Sequence, residues 1–385
     1  MNGPLTGFRV VELGVWVAGP AAGGLLADWG ADVIKVEPPD GDPQRRVFGA
    51  IGVGAQAAVP PFEVDNRGKR SVVLDLQQPD ARAQMERLLA TADAFITNVR
   101  PRALRRLGLH HDDVLARHPK LVYGSLTGYG LDGPEADRAG YDVGAYWARS
   151  GLAHALVPPG QLPPAPRSAM GDHMTGLALA AGIVAKLLAR ERTGEGGLVA
   201  TSLLRIGMYT LAWDIGIRLR FGKLETTRSR EVNKAPLVNC YQSSDGRGFW
   251  LLLLEADRHW PKLIAALGRD DLAADPRFTD ARTRREHATE LIAALDEAFG
   301  AVPYASLTAA FDEHDVWWAP INAIVDVIED PQAIAAGGFV EMTPREGEDG
   351  YRAVNGPLDF DGGHLRPGPV PTLGEHTADV LSSLD

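Results

Sequence analysis

Residues 8–37 read FRVVELGVWVAGPAAGGLLADWGADVIKVE. Two short apolar runs rich in β-branched residues, 8–13 and 32–37, enclose a segment of helical composition at 21–29. Near-continuous apolar strands separated by a helix are typical of a parallel sheet that is buried on both faces. Because such crossovers are right-handed, the stretch predicts the first strand–helix–strand unit of a doubly wound, Rossmann-like sheet.

The same alternation continues along the chain. Further strands are predicted at 71–76, 94–98, 121–126 and 198–202, and further helices at 80–92, 172–192 and 203–221. The fold class is therefore predicted as α/β, with a doubly wound parallel sheet in a large first domain.

A second, smaller α/β domain is predicted after a charged linker. Two strands flank an Asp-Gly turn within 241–254, and several short helices follow over 256–315. The tail from about residue 335 is rich in Gly and Pro. At roughly 150 residues per domain, 385 residues allow two or three domains. The predicted divisions are 1–222 for the large domain, 223–334 for the small domain with its linkers, and 335–385 for a C-terminal segment.

Composition excludes several classes of protein. The chain is 45% hydrophobic and 23% charged, with a net charge of -11, which argues against coating nucleic acid or an anionic membrane. One cysteine, Cys240, excludes an internal disulfide and a multi-cysteine zinc site. No signal peptide is evident, and the apolar run 174–185 is short for a membrane span. A cytoplasmic protein without a metal is predicted, with residues 110–113 (HHDD) interpreted as a helix cap and solvated charges.

The first strand–helix turn permits two interpretations. A helix N-terminus favours an anion, and Glu37 ends the next strand as the ribose-binding acid of a dinucleotide site would. However, the glycines do not form GxGxxG, and two prolines follow Glu37. The alternative is a tight turn with close helix–sheet packing.

Basic residues cluster beside two strands. Residues 66–70 (NRGKR) precede one strand, and four arginines follow another at positions 100, 102, 105 and 106. Guanidinium groups at the carboxyl ends of parallel strands suit a phosphate-bearing ligand. A solvated basic face is the alternative.

Two aspartates lie where helices begin. Asp142 follows a glycine-rich loop and is either a helix cap or a carboxylate nucleophile. Asp172, followed by His173, opens the long helix. The two residues could act as acid and base, but adjacent side chains on a helix do not face each other, so Asp172 is interpreted as a helix cap.

In their order and spacing, these segments resemble the family III CoA-transferases, the CaiB/BaiF type, across essentially the whole chain. The pieces that carry the resemblance are 7–13, 18–20, 26–37, 66–71, 128–142, 171–176, 190–196 and 275–278. The resemblance implies an interlocked homodimer, with both chain ends in the large domain. It implies acyl-CoA and small carboxylic acids as substrates and no tightly bound cofactor.

The resemblance also assigns residues. It places the nucleophile at Asp142, which would accept CoA as an aspartyl thioester. The implied CoA contacts are Val17, Ala18, Asn66, Lys69, Asn98, Val99 and Arg106. The implied substrate pocket is Trp16, Tyr141, Tyr146 and Trp147, and residues 146–151 look like the branch acting on aryl or branched 2-hydroxy acids. The alternative for Tyr146 and Trp147 is a place in the core, and Arg149 is assigned either to an acceptor carboxylate or to the dimer.

Two departures from the family pattern bear on ligands. Pro38 stands where some relatives carry an arginine, so a contact to the adenine or a phosphate of CoA is not implied at this position. The run of four glycines of formyl-CoA transferases is absent around 225–240, and oxalate and formate are therefore disfavoured as substrates.

Other functions stay open at this stage. α-Methylacyl-CoA racemases share the implied fold but carry His where Tyr141 stands, and a phenol is a poor base near neutral pH. The Gly171-Asp172 step occurs in both groups and does not discriminate between them. A non-catalytic CoA-binding protein and an NAD(P)-dependent enzyme are the remaining alternatives.

Overall fold

The computed structural model describes residues 3–54, 58–342, 349–361 and 366–384. The chain divides into two compact units. The first contains Met1–His154, Pro163–Leu224 and Ala335–Asp385, and the second contains Ala155–Leu162 and Glu225–Ile334. The sequence placed the corresponding divisions after residues 222 and 334.

One parallel sheet organises the first unit. Its six strands are β1 (Arg9–Leu13), β2 (Asp32–Glu37), β3 (Arg70–Val73), β4 (Ala94–Thr97), β5 (Val122–Thr127) and β6 (Gly197–Ser202). They are ordered β3-β2-β1-β4-β5-β6, and every neighbouring pair is parallel. This is the strand order of a doubly wound sheet, and the predicted fold class is confirmed.

Two smaller antiparallel sheets complete the described strands. In the second unit, β7 (Cys240–Gln242), β8 (Gly248–Leu251) and β9 (Trp318–Pro320) form a three-stranded sheet. In the first unit, β10 (Phe339–Glu341) pairs with β11 (Arg352–Val354).

The α-helices of the described residues are α1 (Ala18–Asp28), α2 (Val47–Ala50), α3 (Pro60–Asn66), α4 (Pro79–Ala90), α5 (Pro101–Leu107), α6 (His111–Arg117), α7 (Leu152–Ala155), α8 (Met170–Thr193), α9 (Leu203–Thr210), α10 (Ala212–Phe221), α11 (Ala256–Leu267), α12 (Asp270–Ala274), α13 (Ala281–Glu286), α14 (Ala288–Gly300), α15 (Tyr304–Glu313), α16 (Ile324–Glu329), α17 (Pro331–Ala335) and α18 (Thr377–Ser382). A π-helix spans Val143–Ala148. The single helix predicted over 203–221 is two helices, because the backbone leaves helical geometry at Leu211 (φ -96°, ψ 20°).

Both faces of the large sheet are buried. Adjacent residues of β1 point to opposite faces, so Val10 belongs to the core that includes α1 and α8. Val11 belongs to the core that includes α4 and α18. Small residues let helices approach closely: a Cβ added at Gly176 of α8 would lie 2.9 Å from the Ala18 carbonyl oxygen of α1.

By length and composition alone, α8 is apolar enough to cross a membrane. In this fold its inward face, which includes Leu179, Ile183 and Leu187, packs in the core of the first unit beside β5 and β6. One face of this helix therefore belongs to the core of the first unit.

The C-terminal segment runs along the outer edge of β3. The His376 N–H donates to the Ser71 carbonyl oxygen at 2.9 Å, and the Val73 N–H donates to Thr377 Oγ1 at 3.0 Å. Val380 of α18 is buried beside this strand. Because β3 is the last strand of the sheet, the segment covers backbone groups that would otherwise lie at an open edge.

Candidate active site

The turn between β1 and α1 lies at the carboxyl edge of the large sheet. Asn98, directly after β4, fixes it from the side: its Oδ1 accepts the Val15 N–H at 3.0 Å and its Nδ2 donates to the Val15 carbonyl oxygen at 2.7 Å. The Trp16 ring meets the Tyr141 ring edge-on, with centroids 6.2 Å apart and planes at 89°. The structure thus brings together two residues of the predicted substrate pocket that are far apart in the sequence.

Asp142 follows Tyr141 and is half-buried. Its Oδ1 accepts the Val143 N–H at 2.8 Å, so the side chain caps the π-helix Val143–Ala148. One of its two oxygens therefore accepts a backbone hydrogen bond. π-Helical turns are rare and occur frequently at functional sites.

Asp172 has a different environment. The residue that caps α8 is Ala169, without a side-chain hydrogen bond, so the expectation that Asp172 caps this helix is wrong. Asp172 lies half-buried in the first turn. Burial, and then the negative charge of Asp142, raise the pKa of Asp172 to about 7, while His173 opposes the shift. The two carboxylates therefore share one site at this edge of the first unit.

His173 is held by a partner that sequence analysis missed. Its Nε2 lies 3.1 Å from Oδ1 of Asp65, a buried residue of α3, and Gln44 Nε2 donates to the other Asp65 oxygen at 3.1 Å. The bond to Asp65 raises the pKa of His173 and favours the imidazolium. His173 and Asp65 are 108 positions apart, so no local sequence pattern predicts their contact.

A buried ionic network lies beneath this site. Lys35 Nζ contacts Glu12 Oε1 at 2.9 Å, Asp42 Oδ2 at 2.9 Å and the Gly14 carbonyl oxygen at 3.1 Å. Lys69 Nζ donates to Glu12 Oε2 at 2.6 Å. All four charged side chains of this network are buried.

The network gives Asn66 and Lys69 a role other than the predicted CoA contact. The three ammonium donors of Lys69 are taken by Glu12, by the Pro20 carbonyl oxygen at 2.8 Å and by Asn66 Oδ1 at 3.0 Å. The Asn66 amide donates to the Phe62 carbonyl oxygen. Both side chains are buried and engaged, so they hold α1 and α3 in place, and Lys69 has no ammonium hydrogen left for a ligand in this conformation. Burial, together with the charge of Lys35, lowers the pKa of Lys69 to about 8 against the pull of Glu12.

Glu37 is also engaged within the protein. Arg45 contacts both of its carboxylate oxygens at 2.8 and 2.7 Å, and Ser71 Oγ donates at 2.6 Å. Although burial opposes the shift, these groups and Lys35 lower the pKa of Glu37 to about 2. A ribose hydroxyl therefore has no free carboxylate to bind here, which argues against the dinucleotide interpretation.

The remaining predicted CoA contacts surround the same turn. Val17 is half-buried just before α1, and Ala18 is buried in its first turn. Val99 is half-buried after β4, with its N–H bonded to Thr97 Oγ1 at 3.1 Å. Arg106 is exposed on α5, and no ion pair is recorded for it within the described ranges. Its guanidinium is thus available to a phosphate.

Two aromatic assignments are corrected. Tyr146 and Trp147 are 5% and 8% exposed and belong to the core between α8, α9 and the sheet. A Cβ added at Gly171 would lie 2.4 Å from the Tyr146 ring, which shows how tightly it is packed. These rings follow the core alternative because the π-helix turns them inward. Arg149 pairs with Glu135 and lies over the Tyr129 ring, 5.1 Å from its centroid.

Among the described residues, one His/Asp group has a spacing suited to a metal. His110 Nδ1 and His111 Nε2 lie 3.2 and 3.3 Å from the Asp112 carboxylate. His110 is the residue before α6, without a side-chain cap bond. The absence of a metal stays a prediction.

Comparison with known proteins places this chain in a family. The model of CoA-transferase family III matches residues 5–377. The chain belongs to CoA-transferase family III. The predicted recognition is confirmed, and with it the prediction of an acyl-CoA:carboxylate CoA-transferase.

Family members with named activities match nearly end to end. The (R)-2-hydroxy-4-methylpentanoate CoA-transferase of Clostridioides difficile is 32% identical, over 99% of this chain and 95% of the relative. The cinnamoyl-CoA:phenyllactate CoA-transferase of Clostridium sporogenes is 31% identical, over 98% and 93%. The succinate–glutarate CoA-transferase of Agrobacterium fabrum is 35% identical, over 99% and 96%. A CaiB/BaiF family protein from Brucella suis matches in structure with a TM-score of 0.86, at 32% identity and full coverage of both chains.

Proposed function

We propose that this CoA-transferase moves CoA between acids through an aspartyl thioester on Asp172, beside Asp142. The observation that carries the proposal is the half-buried Asp172 carboxylate, which does not cap its helix. Its pKa is raised to about 7 by burial and by Asp142. A more basic, less solvated carboxylate is a better nucleophile. The family resemblance placed this role on Asp142, but that side chain caps the π-helix by accepting the Val143 N–H.

The chemistry balances with one carboxylate. An Asp172 oxygen attacks the thioester carbon of the donor, the C–S bond breaks, and a mixed anhydride and CoA thiolate form. The thiolate attacks the Asp172 carbonyl carbon and releases the donor acid. The acceptor carboxylate then attacks the aspartyl thioester, forming a second anhydride and expelling the thiolate. Attack of that thiolate on the acceptor's acyl carbon gives the new acyl-CoA and restores Asp172.

An aryl or branched 2-hydroxy acid is the proposed acceptor. The edge-on pair Trp16 and Tyr141 offers an apolar surface next to the two carboxylates, and Tyr141 is 63% exposed. The names of two relatives include a branched 2-hydroxy acid and phenyllactate, which supports this class. A matrix of acyl-CoA donors and isotope-labelled acids, read by mass spectrometry of the CoA products, tests it. We expect labelled phenyllactate or 2-hydroxy-4-methylpentanoate to enter the CoA ester faster than formate or oxalate. No transfer to any acid would overturn the proposed function.

Arg106 is proposed to bind a phosphate of CoA. Arg106→Ala should weaken CoA binding by about fivefold, and the loss should shrink at high salt because an exposed charge is screened. Titration calorimetry with free CoA at two salt concentrations measures both effects. Arg117→Ala is the matched control, since Arg117 is already paired with Glu86. Equal losses in the two variants would remove Arg106 from the site.

The rate should depend on the ionisation of Asp172. If the carboxylate must be charged to attack, kcat/KM should fall as the pH drops below about 7. Asp142→Asn removes a negative charge that raises this pKa, so the acid limb should move to lower pH. A pH–rate profile of both proteins measures the shift. An unchanged limb in an active Asp142→Asn variant would contradict the assignment.

A homodimer is the proposed assembly. Helix α10 has no buried residue, and large apolar side chains on α9 and α10 are exposed: Tyr209 77%, Trp213 81% and Leu219 82%. Apolar surface of this extent marks an interaction site. Light scattering should give twice the mass of the chain, and a monomer would contradict the proposal. A cytoplasmic location stays a prediction.

A further inference from the structure

Trp16 has an unusual backbone conformation. Its φ of 64° lies in the left-handed region, which among the described non-glycine residues is shared by Ala169, Asp315 and Asp361. A bulky side chain avoids this region because its Cβ crowds the backbone. Strained residues persist where surrounding contacts impose them, and they cluster at active sites.

The contacts that impose it come from inside the protein. The carbonyl oxygen of Gly14 is held by Lys35, and both backbone groups of Val15 are held by Asn98. The Trp16 N–H donates to Asp42 Oδ1 at 3.0 Å. Three successive residues of the turn are thus fixed by side chains from three other segments.

Asp42 is well placed to hold the Trp16 backbone in this conformation. It is fully buried, its Oδ1 also accepts the Gln44 N–H at 2.9 Å, and its Oδ2 pairs with Lys35 at 2.9 Å. If this carboxylate moved away, the buried Lys35 ammonium would lose one of its two carboxylate partners. Holding the Trp16 N–H fixes the direction in which the indole leaves the backbone, and that direction carries it onto the Tyr141 ring.

We propose that Asp42 is a positioning residue for substrate selection, which holds the Trp16 indole against Tyr141 so that the two rings bind the flat or branched apolar part of the acyl group. This inference rests on the proposed function, because it places the acyl group beside Asp142 and Asp172. Asp42 touches no substrate atom in this account. It acts through the Trp16 backbone.

Two non-reactive thioethers test the inference without turnover. S-(2-phenylethyl)-CoA and S-ethyl-CoA share the CoA moiety, and neither can acylate a carboxylate. Calorimetry gives their dissociation constants for the full chain and for Trp16→Gly, Asp42→Ala and Asp42→Asn. Glycine accepts a φ of 64° without strain but removes the ring. Asparagine keeps an oxygen that can accept the Trp16 N–H.

The wild type should prefer the phenylethyl compound. Trp16→Gly and Asp42→Ala should each reduce that preference about tenfold, an effect the size of a lost aromatic contact, with S-ethyl-CoA affected less than about twofold. Asp42→Asn should retain part of the preference, because its amide oxygen can still accept the Trp16 N–H while its NH2 group replaces the oxygen that faces Lys35. Asp42→Ser, whose hydroxyl is too short to reach the Trp16 N–H, replaces Asp42→Ala if circular dichroism shows that the alanine variant is unfolded.

The outcomes separate the two claims. Equal weakening of both thioethers in the Asp42 variants, or an unchanged preference, overturns the positioning role while the CoA site stands. If neither thioether binds the wild type, the proposed CoA function itself is overturned and the inference falls with it.

Discussion

Replacing Asp172 with Asn is expected to lower the rate of CoA transfer by at least about a thousandfold, with free CoA bound as in the wild type. The amide keeps the size of the side chain but cannot form the anhydride or the thioester. Asp142→Asn is the matched control, since it removes the neighbouring carboxylate and leaves Asp172 in place. Steady-state kinetics and CoA titration measure both. An active Asp172→Asn variant beside an inactive Asp142→Asn variant would return the nucleophile to Asp142.

A stability measurement on Asp172→Asn tests whether its loss of activity is caused by misfolding. The pKa of Asp172 is raised to about 7 in the folded chain, so the folded state holds this proton more tightly than the unfolded state does. The carboxyl therefore costs stability increasingly as the pH rises from about 4 to about 7. Asp172→Asn should be more stable than the wild type by about 1 to 2 kcal/mol at pH 8, with a smaller gain at pH 5. Urea unfolding at the two pH values tests this, and a variant less stable at pH 8 would contradict it.

Lys69→Met is expected to lower the free energy of unfolding by about 3 kcal/mol. The substitution leaves an oxygen of Glu12, the Pro20 carbonyl and the Asn66 amide oxygen buried without their shared donor. Urea denaturation at pH 7 measures the loss. Arg106→Ala, on the surface, is the control and should unfold like the wild type. A Lys69→Met variant within about 0.5 kcal/mol of the wild type would show that the network stabilises less than its geometry indicates.

The sheet was predictable because strands buried on both faces leave an unbroken apolar run. The predicted strand 32–37 coincides with β2. The glycines of α1 allow the close helix–sheet packing that the sequence indicated, since a Cβ added at Gly23 would lie 2.0 Å from Glu12 Oε2 of β1. The break at Leu211 was not predictable, since residues 210–212 are Thr, Leu and Ala and neither proline nor glycine stands at the break.

The buried charges carried a signal that sequence analysis did not use. Glu12 and Lys35 lie within apolar strands, where an unpaired charge would be costly, and they are direct register partners on β1 and β2. Lys69 completes that pair from another segment. The family resemblance assigns Lys69 to CoA by its position in the stretch 66–69, and that position does not reveal the acid that binds the side chain.

The choice between the two aspartates depended on where the helices begin. Asp142 and Asp172 both stand near a helix start, and both allow a capping role by pattern. In the structure α8 begins at Met170, two residues before Asp172, so the Asp172 side chain does not serve as the helix cap. The bond between His173 and Asp65 joins segments that only the folded sheet brings together.

Peptide mapping tests whether Asp172 takes CoA covalently. The protein is incubated with an acyl-CoA donor without acceptor, quenched in acid, and treated with hydroxylamine, which converts an aspartyl thioester to a hydroxamate. Trypsin places the candidates on separate peptides, 139–149 for Asp142 and 168–186 for Asp172. We expect the hydroxamate on 168–186 and its absence in Asp172→Asn. A hydroxamate on 139–149 alone would contradict it.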